Sequence, residues 1–194
     1  SSLNLSSSSN SICYGNSVTL NANGVAGTGT VYSWSWTDQN GNPRTATGSN
    51  IIDTPRVNTT YTVVASGVGV CPQTKTLLVN VNPVPTANLL TANQSVCFGS
   101  NAIFVVQGTA GASVSYTINN GLPLTRTLSG NPDTIRINNP ATSQSIHLTA
   151  VNTSSCTQTL NLNATINVIK STASISSTNS PICSNSNASF TITG

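Results

Sequence analysis

Three stretches of this chain repeat one another without a gap, and that repeat limits what it can fold into more than any other feature. Residues 1–24, 85–108 and 171–194 align at a cysteine, at a closing glycine and at the apolar positions between them. The period is about 85 residues, too long for a solenoid unit and the length of a complete small domain. Later anchors recur in the same order: Asn40-Gly41 answers Asn120-Gly121, and Cys71-Pro72-Gln73-Thr74 answers Cys156-Thr157-Gln158-Thr159. The repeat predicts one domain over 1–84, a second over 85–169, and over 170–194 the first two strands of a truncated third. On this reading the chain is a cut from a longer tandem array.

Where the copies agree, apolar and polar residues alternate with period two, the pattern of a half-buried strand. Val18, Leu20 and Ala22 correspond to Ala102, Phe104 and Val106, and again to Ala188, Phe190 and Ile192. Tyr32, Trp34 and Trp36 share one face, as do Val114, Tyr116 and Ile118 in the second copy. The two Asn-Gly dipeptides mark hairpin turns, since they tolerate positive backbone angles. No window carries sustained helical periodicity. About seven strands per copy, with turn signals at short spacing, predict an all-β fold of tandem immunoglobulin-like (PKD-like) β-sandwich domains arranged end to end. Asn82-Pro83-Val84-Pro85 reads as a short, semi-rigid joint.

A copy this small has a marginal core, so its cysteines matter. Two fall in each complete copy and one in the third. The distribution predicts one disulfide per domain, Cys13 with Cys71 and Cys97 with Cys156, and leaves Cys183 unpaired by truncation. A loop of about 60 residues closed in this way is worth roughly 4 kcal/mol. Two rivals stand beside it: a metal site, against which no CxxC occurs and His147 is the one histidine, and unreactive free thiols. Paired cysteines place the chain outside the cytoplasm.

Composition narrows function further. Ser, Thr and Asn make up roughly four residues in ten, charged residues only 5%, and the six Lys and Arg are scattered singly. That spacing argues against nucleic acid as a partner, and no apolar stretch is long enough for a membrane span. Asp38, Asp53 and Asp133 are the only carboxylic side chains, and none recurs at the matching place in the other copy. His147 lies between inward-pointing Ile146 and Leu148, which turns it to solvent. The sequence therefore predicts no enzyme and no cofactor. Asp38-Gln39-Asn40-Gly41-Asn42 has the look of a calcium loop but lacks the closing bidentate acid, so it reads as a turn. Trp36 and Tyr14 admit two readings, core aromatics or a platform stacking on sugar rings.

Ile12-Cys13-Tyr14-Gly15-Asn16-Ser17-Val18-Thr19-Leu20, Tyr32-Ser33-Trp34, Thr60-Tyr61-Thr62-Val63 and Val79-Asn80-Val81-Asn82-Pro83 together resemble the Ig-like, PKD-like repeats of large Bacteroidota cell-surface adhesins, with the gliding-motility adhesins as the closest type. Both complete copies carry the resemblance. The second departs from it, with Tyr116 in place of the tryptophan and Ile146 in place of the tyrosine. The resemblance implies a filament displayed on the outer membrane after type IX secretion. Its partners would be neighbouring repeats of the same chain, surface polysaccharides or glycans, and the motility and secretion machinery. It also implies an O-linked glycan on Thr134, within Asp133-Thr134-Ile135. The alternatives are a carbohydrate-binding module and a spacer domain of a secreted enzyme.

Overall fold

In the computed structural model the described residues are 2–25, 27, 29–177, 187 and 189–193. The first copy forms β1 (Asn4–Ser7), β2 (Ser11–Cys13), β3 (Val18–Asn23), β4 (Val31–Thr37), β5 (Pro43–Thr47), β6 (Asn50–Asp53), β7 (Thr59–Gly67) and β8 (Val70–Asn82). The second forms β9 (Ala87–Leu89), β10 (Gln94–Cys97), β11 (Ala102–Gly108), β12 (Ser113–Ile118), β13 (Leu124–Thr127), β14 (Asp133–Ile137), β15 (Gln144–Asn152) and β16 (Thr157–Ile169). A hairpin of β17 (Ser174–Ser177) and β18 (Phe190–Thr193) follows. No helix occurs among the described residues.

Each copy folds into two sheets with the same strand order. In the first they are β1-β3-β6 and β2-β8-β7-β4-β5; in the second, β9-β11-β14 and β10-β16-β15-β12-β13. The opening strand is split between them. β1 pairs antiparallel with β3, and after Ser8–Asn10 the chain changes sheets so that β2 runs parallel to the end of β8. β9 and β10 divide in the same way between β11 and β16. This is an immunoglobulin-like sandwich, occurring twice in tandem. Two compact units result, one of 1–85 with 152–158 and one of 86–151 with 159–194. The short segment 152–158 thus packs as part of the first unit.

The alternating faces find their partners inside each sandwich. Val18, Leu20 and Ala22 pack with Trp34, Tyr61, Val63 and Val79 in the first core. Ala102, Phe104 and Val106 pack with Val114, Ile146, Leu148 and Ile166 in the second. Trp34 is 1% exposed, and its indole N–H donates to the Gly48 carbonyl at 2.8 Å, so the one polar atom of the largest core side chain is satisfied. Tyr61, near the start of β7, donates its hydroxyl to Asp53 Oδ2 at 2.7 Å, a side-chain form of the tyrosine corner. Val63, two residues on, stands where antibody domains carry the second cysteine of their inter-sheet bond, so apolar packing alone closes this core. The matching face of β18 is different: Phe190 and Ile192 stand exposed, because the hairpin has no facing sheet among the described residues. Ala188 lies outside the described residues.

The closing glycine of the repeated stretch has a steric cause. A Cβ on Gly24 would meet the Ser2 carbonyl oxygen at 2.5 Å, and one on Gly108 would meet the Thr86 carbonyl oxygen at 2.1 Å. In both units the small sheet closes only if that position has no side chain. The Asn-Gly turns differ in detail. Gly41 takes the positive φ of 79° in the first, whereas in the second Asn119 and Asn120 take it, at 51° and 56°, one residue earlier than the dipeptide suggests.

Trp34→Ala removes the largest side chain of a packed core and should cost about 3–5 kcal/mol, read as a lower urea midpoint. Leu78→Ala, on an exposed face, should stay within about 0.5 kcal/mol.

Candidate functional site

The cysteines depart from the expected pairing. Cys13 is bonded to Cys156, while Cys71 and Cys97 are exposed free thiols. Strand register explains why neither Cys13–Cys71 nor Cys97–Cys156 forms. Cys13 ends β2 opposite Asn82, the last residue of β8, whereas Cys71 lies at the start of that strand. Eleven residues of extended chain, about 35 Å, separate the two ends, far beyond the reach of a disulfide. Cys97 likewise sits opposite Ile169 at the end of β16, and Cys156 precedes the first residue of that strand, about 40 Å away. One cysteine of each copy therefore lies at the foot of its sandwich and the other at the head. Between Cys13 and Cys156 the Cα separation is 5.8 Å. The Ser155 carbonyl oxygen lies 3.4 Å from Cys13 Sγ, and the Asn82 carbonyl oxygen 3.9 Å from Cys156 Sγ. Cys183 lies outside the described residues.

Trp36 lies on the same face of β4 as Trp34 but nearer the end of the sandwich, where it is half-buried. Its ring centroid is 5.4 Å from that of Tyr61, with the planes tilted by 44°. Beside it opens a depression of about 130 Å³, lined also by Asp38, Gln39, Arg44, Asp53, Thr54, Pro55 and Thr59. An aromatic edge among carboxylates, a guanidinium and hydroxyls is polar enough to hydrogen-bond a hydroxylated ligand. Tyr14 is 48% exposed, with the Arg56 guanidinium 5.8 Å from its ring centroid. That cation occupies one face of the ring.

All three carboxylates hold local structure. Asp38 accepts the backbone N–H groups of Asn40 and Asn42 at 2.9 and 3.0 Å, which ties the hairpin turn and holds its carboxyl below the usual range. Asp53 accepts Thr54 N–H and the Tyr61 hydroxyl. Burial, reinforced by that carboxylate, pushes the Tyr61 phenol well up. Asp133 accepts Ser129 N–H at 2.7 Å, which lowers its carboxyl, and faces Arg126 at 3.4 Å. His147 Nε2 lies 3.1 Å from Asn161 Oδ1, between the buried Ile146 and Leu148. Among the described residues no three His, Cys, Asp or Glu side chains gather as a metal site. Thr134 is exposed on β14, an edge strand of its sheet.

No family model matches the chain. No curated protein matches it. Solved structures of similar fold include an I-band fragment from titin, 9% identical, covering 95% of this chain and 72% of the fragment with a TM-score of 0.48. Murine CEACAM1b is 14% identical, covering 87% and 99% with a TM-score of 0.41. DIP-gamma IG1+IG2 is 9% identical, covering 81% and 92% with a TM-score of 0.38.

Non-reducing peptide mapping of the folded chain should recover Cys13 joined to Cys156. Iodoacetamide added under native conditions should label Cys71 and Cys97 and spare Cys13 and Cys156. A Cys13–Cys71 peptide would contradict the strand register.

Proposed function

We propose that this chain is a structural and adhesive repeat segment of a large bacterial cell-surface adhesin filament of the gliding-motility or surface-attachment type, without catalytic activity. The observation that carries the reading is the Cys13–Cys156 bond, which ties the first sequence copy to the second across a sequence separation of 143. In the chain-entropy model a loop of that length is worth about 5 kcal/mol. Such a bond keeps a tandem array short under tension even when one sandwich opens. It also fits an oxidising location outside the cytoplasm. Each of the three carboxylates accepts hydrogen bonds within a turn or corner of its sandwich.

The Bacteroidota resemblance supports display at the outer membrane after type IX secretion. A glycan on exposed Thr134 would shield the β14 edge from strand addition, the hazard of a sheet with few charges. It would appear as added sugar mass on the peptide carrying Thr134.

A second reading rests on the depression beside Trp36. A carbohydrate-binding module would use that ring for stacking and Asp38, Arg44 and Asp53 for hydroxyl groups.

Pulling on the two ends of the oxidised chain should extend only the residues outside 13–156. Reductant should then add about 500 Å of contour length. Equal extension with and without reductant removes the tether reading. In a polysaccharide panel, Trp36→Ala should abolish saturable binding with the urea midpoint retained if the depression is a sugar site. Absence of binding by the folded parent chain removes that second reading.

A further inference from the structure

The second unit contains an open counterpart of the place where the first is bridged. Cys13 and Cys97 have equivalent backbone surroundings. Each ends a short strand running parallel to the last strand of its sandwich, opposite Asn82 and Ile169 respectively. Tyr14 N–H donates to the Asn82 carbonyl at 2.8 Å, and Phe98 N–H donates to the Ile169 carbonyl at 2.8 Å. Asn16 N–H closes a turn on the Cys13 carbonyl at 2.9 Å, and Ser100 N–H does so on the Cys97 carbonyl at 3.0 Å. The aromatic after each cysteine carries a cation on its ring, Arg56 over Tyr14 and Lys170 over Phe98 at 4.7 Å.

What lies against these two places differs. In the first unit the segment 152–158 belongs to the fold, and its Cys156 is 3% exposed and bonded. In the second unit the equivalent ground is a groove of about 410 Å³ lined by Cys97, Phe98, Ile169, Lys170, Ser171 and Thr172. Phe98 and Ile169 are each 55% exposed there, apolar surface beside a free thiol. The matching plug also exists on this chain. Cys71, second residue of the last strand of the first copy, corresponds to Cys156 just before that of the second, and like Cys97 it is free and exposed.

We propose that the groove at Cys97 seats the head loop of the repeat that follows, closed by a disulfide between Cys97 and that loop's cysteine at the position of Cys156. Cys71 is the same loop cysteine, offered to a Cys13-type groove of a repeat placed before the first. Each repeat then bonds forward from its foot and backward from its head, a heterologous contact that propagates along the array. Closure follows thiol–disulfide exchange. One cysteine thiolate attacks a small disulfide oxidant and releases one thiol. The second thiolate attacks the mixed disulfide and releases another. The two cysteines lose two protons and two electrons, and the oxidant is reduced to two thiols. The proposal rests on the tandem reading of the repeats and on no ligand. The experiment reads a bond, so its failure is distinguishable from failure of the tether reading.

The test completes the third copy. Residues 109–169 are appended after Gly194, where the alignment places them, with the appended counterpart of Ser154 changed to Ala to mark its peptide. After oxidation with oxidised glutathione and alkylation, a non-reducing digest should join Cys97 to the appended cysteine while Cys13 stays with Cys156. An alkylated Cys97, or Cys97 bonded to Cys71 or Cys183, overturns the proposal. A second measurement needs no added repeat. The peptide Asn152–Gln158, activated at its cysteine as a mixed disulfide with thionitrobenzoate, is offered to the 194-residue chain under native conditions. Capture at Cys97 should run about tenfold faster than at Cys71, a difference of about 1.4 kcal/mol. Equal rates overturn the seat.

Discussion

Everything in this molecule depends on burying one side of β3, β4 and β7 against the facing sheet. The chain has few charges and no inter-sheet disulfide inside either sandwich, so alternate apolar side chains provide the cohesion. Leu20, Trp34, Tyr61 and Val63 fill the first core and Phe104, Val114, Ile146 and Leu148 the second. Side chains on a strand alternate strictly, so a slip of one residue would turn each of these outward and bring Ser33, Ser35, Thr60 and Thr62 in. Register is therefore fixed by burial, and register in turn decides where every cysteine, turn and aromatic lies.

The bridge illustrates that dependence. A cysteine after a short parallel strand and a cysteine before a long antiparallel one are carried to opposite ends of a sandwich by the length of the last strand. Composition suggests one bond per domain because it counts cysteines per copy. Geometry denies that bond, since about 35 Å of extended backbone lies between the partners. The same register leaves the two free thiols, Cys71 and Cys97, at opposite ends of their respective sandwiches.

The polar residues are committed to local structure. Asp38, Asp53 and Asp133 accept hydrogen bonds from turn backbone, a tyrosine hydroxyl and a serine, and no buried side-chain polar atom among the described residues lacks a partner. Buried Gln144 is met by Asn119 and by the Thr142 carbonyl. An unpaired buried polar group would cost about 1–3 kcal/mol, and the cores avoid that cost. Trp36 lies between the two roles: packed on Tyr61, yet lining a depression near carboxylates and a guanidinium.

By itself the sequence determined the repeat, the all-β class, the inward residues of the central strands and, to within a residue, the hairpin turns. These are local properties, set by side-chain alternation and by what Asn and Gly permit in the backbone. Other features were not legible. The strands β5 and β13 are mostly exposed and show no alternation, and the division of the opening strand between two sheets is marked by no residue pattern. The closing glycines were visible as a repeat, but their reason, a carbonyl oxygen within 3 Å of a would-be Cβ, exists only when two strands meet. Cysteine pairing, the half-burial of Trp36 and the depression beside it were decided by tertiary structure. Each depends on which residues distant in the chain arrive at the same end of a sandwich, and sequence spacing does not encode that.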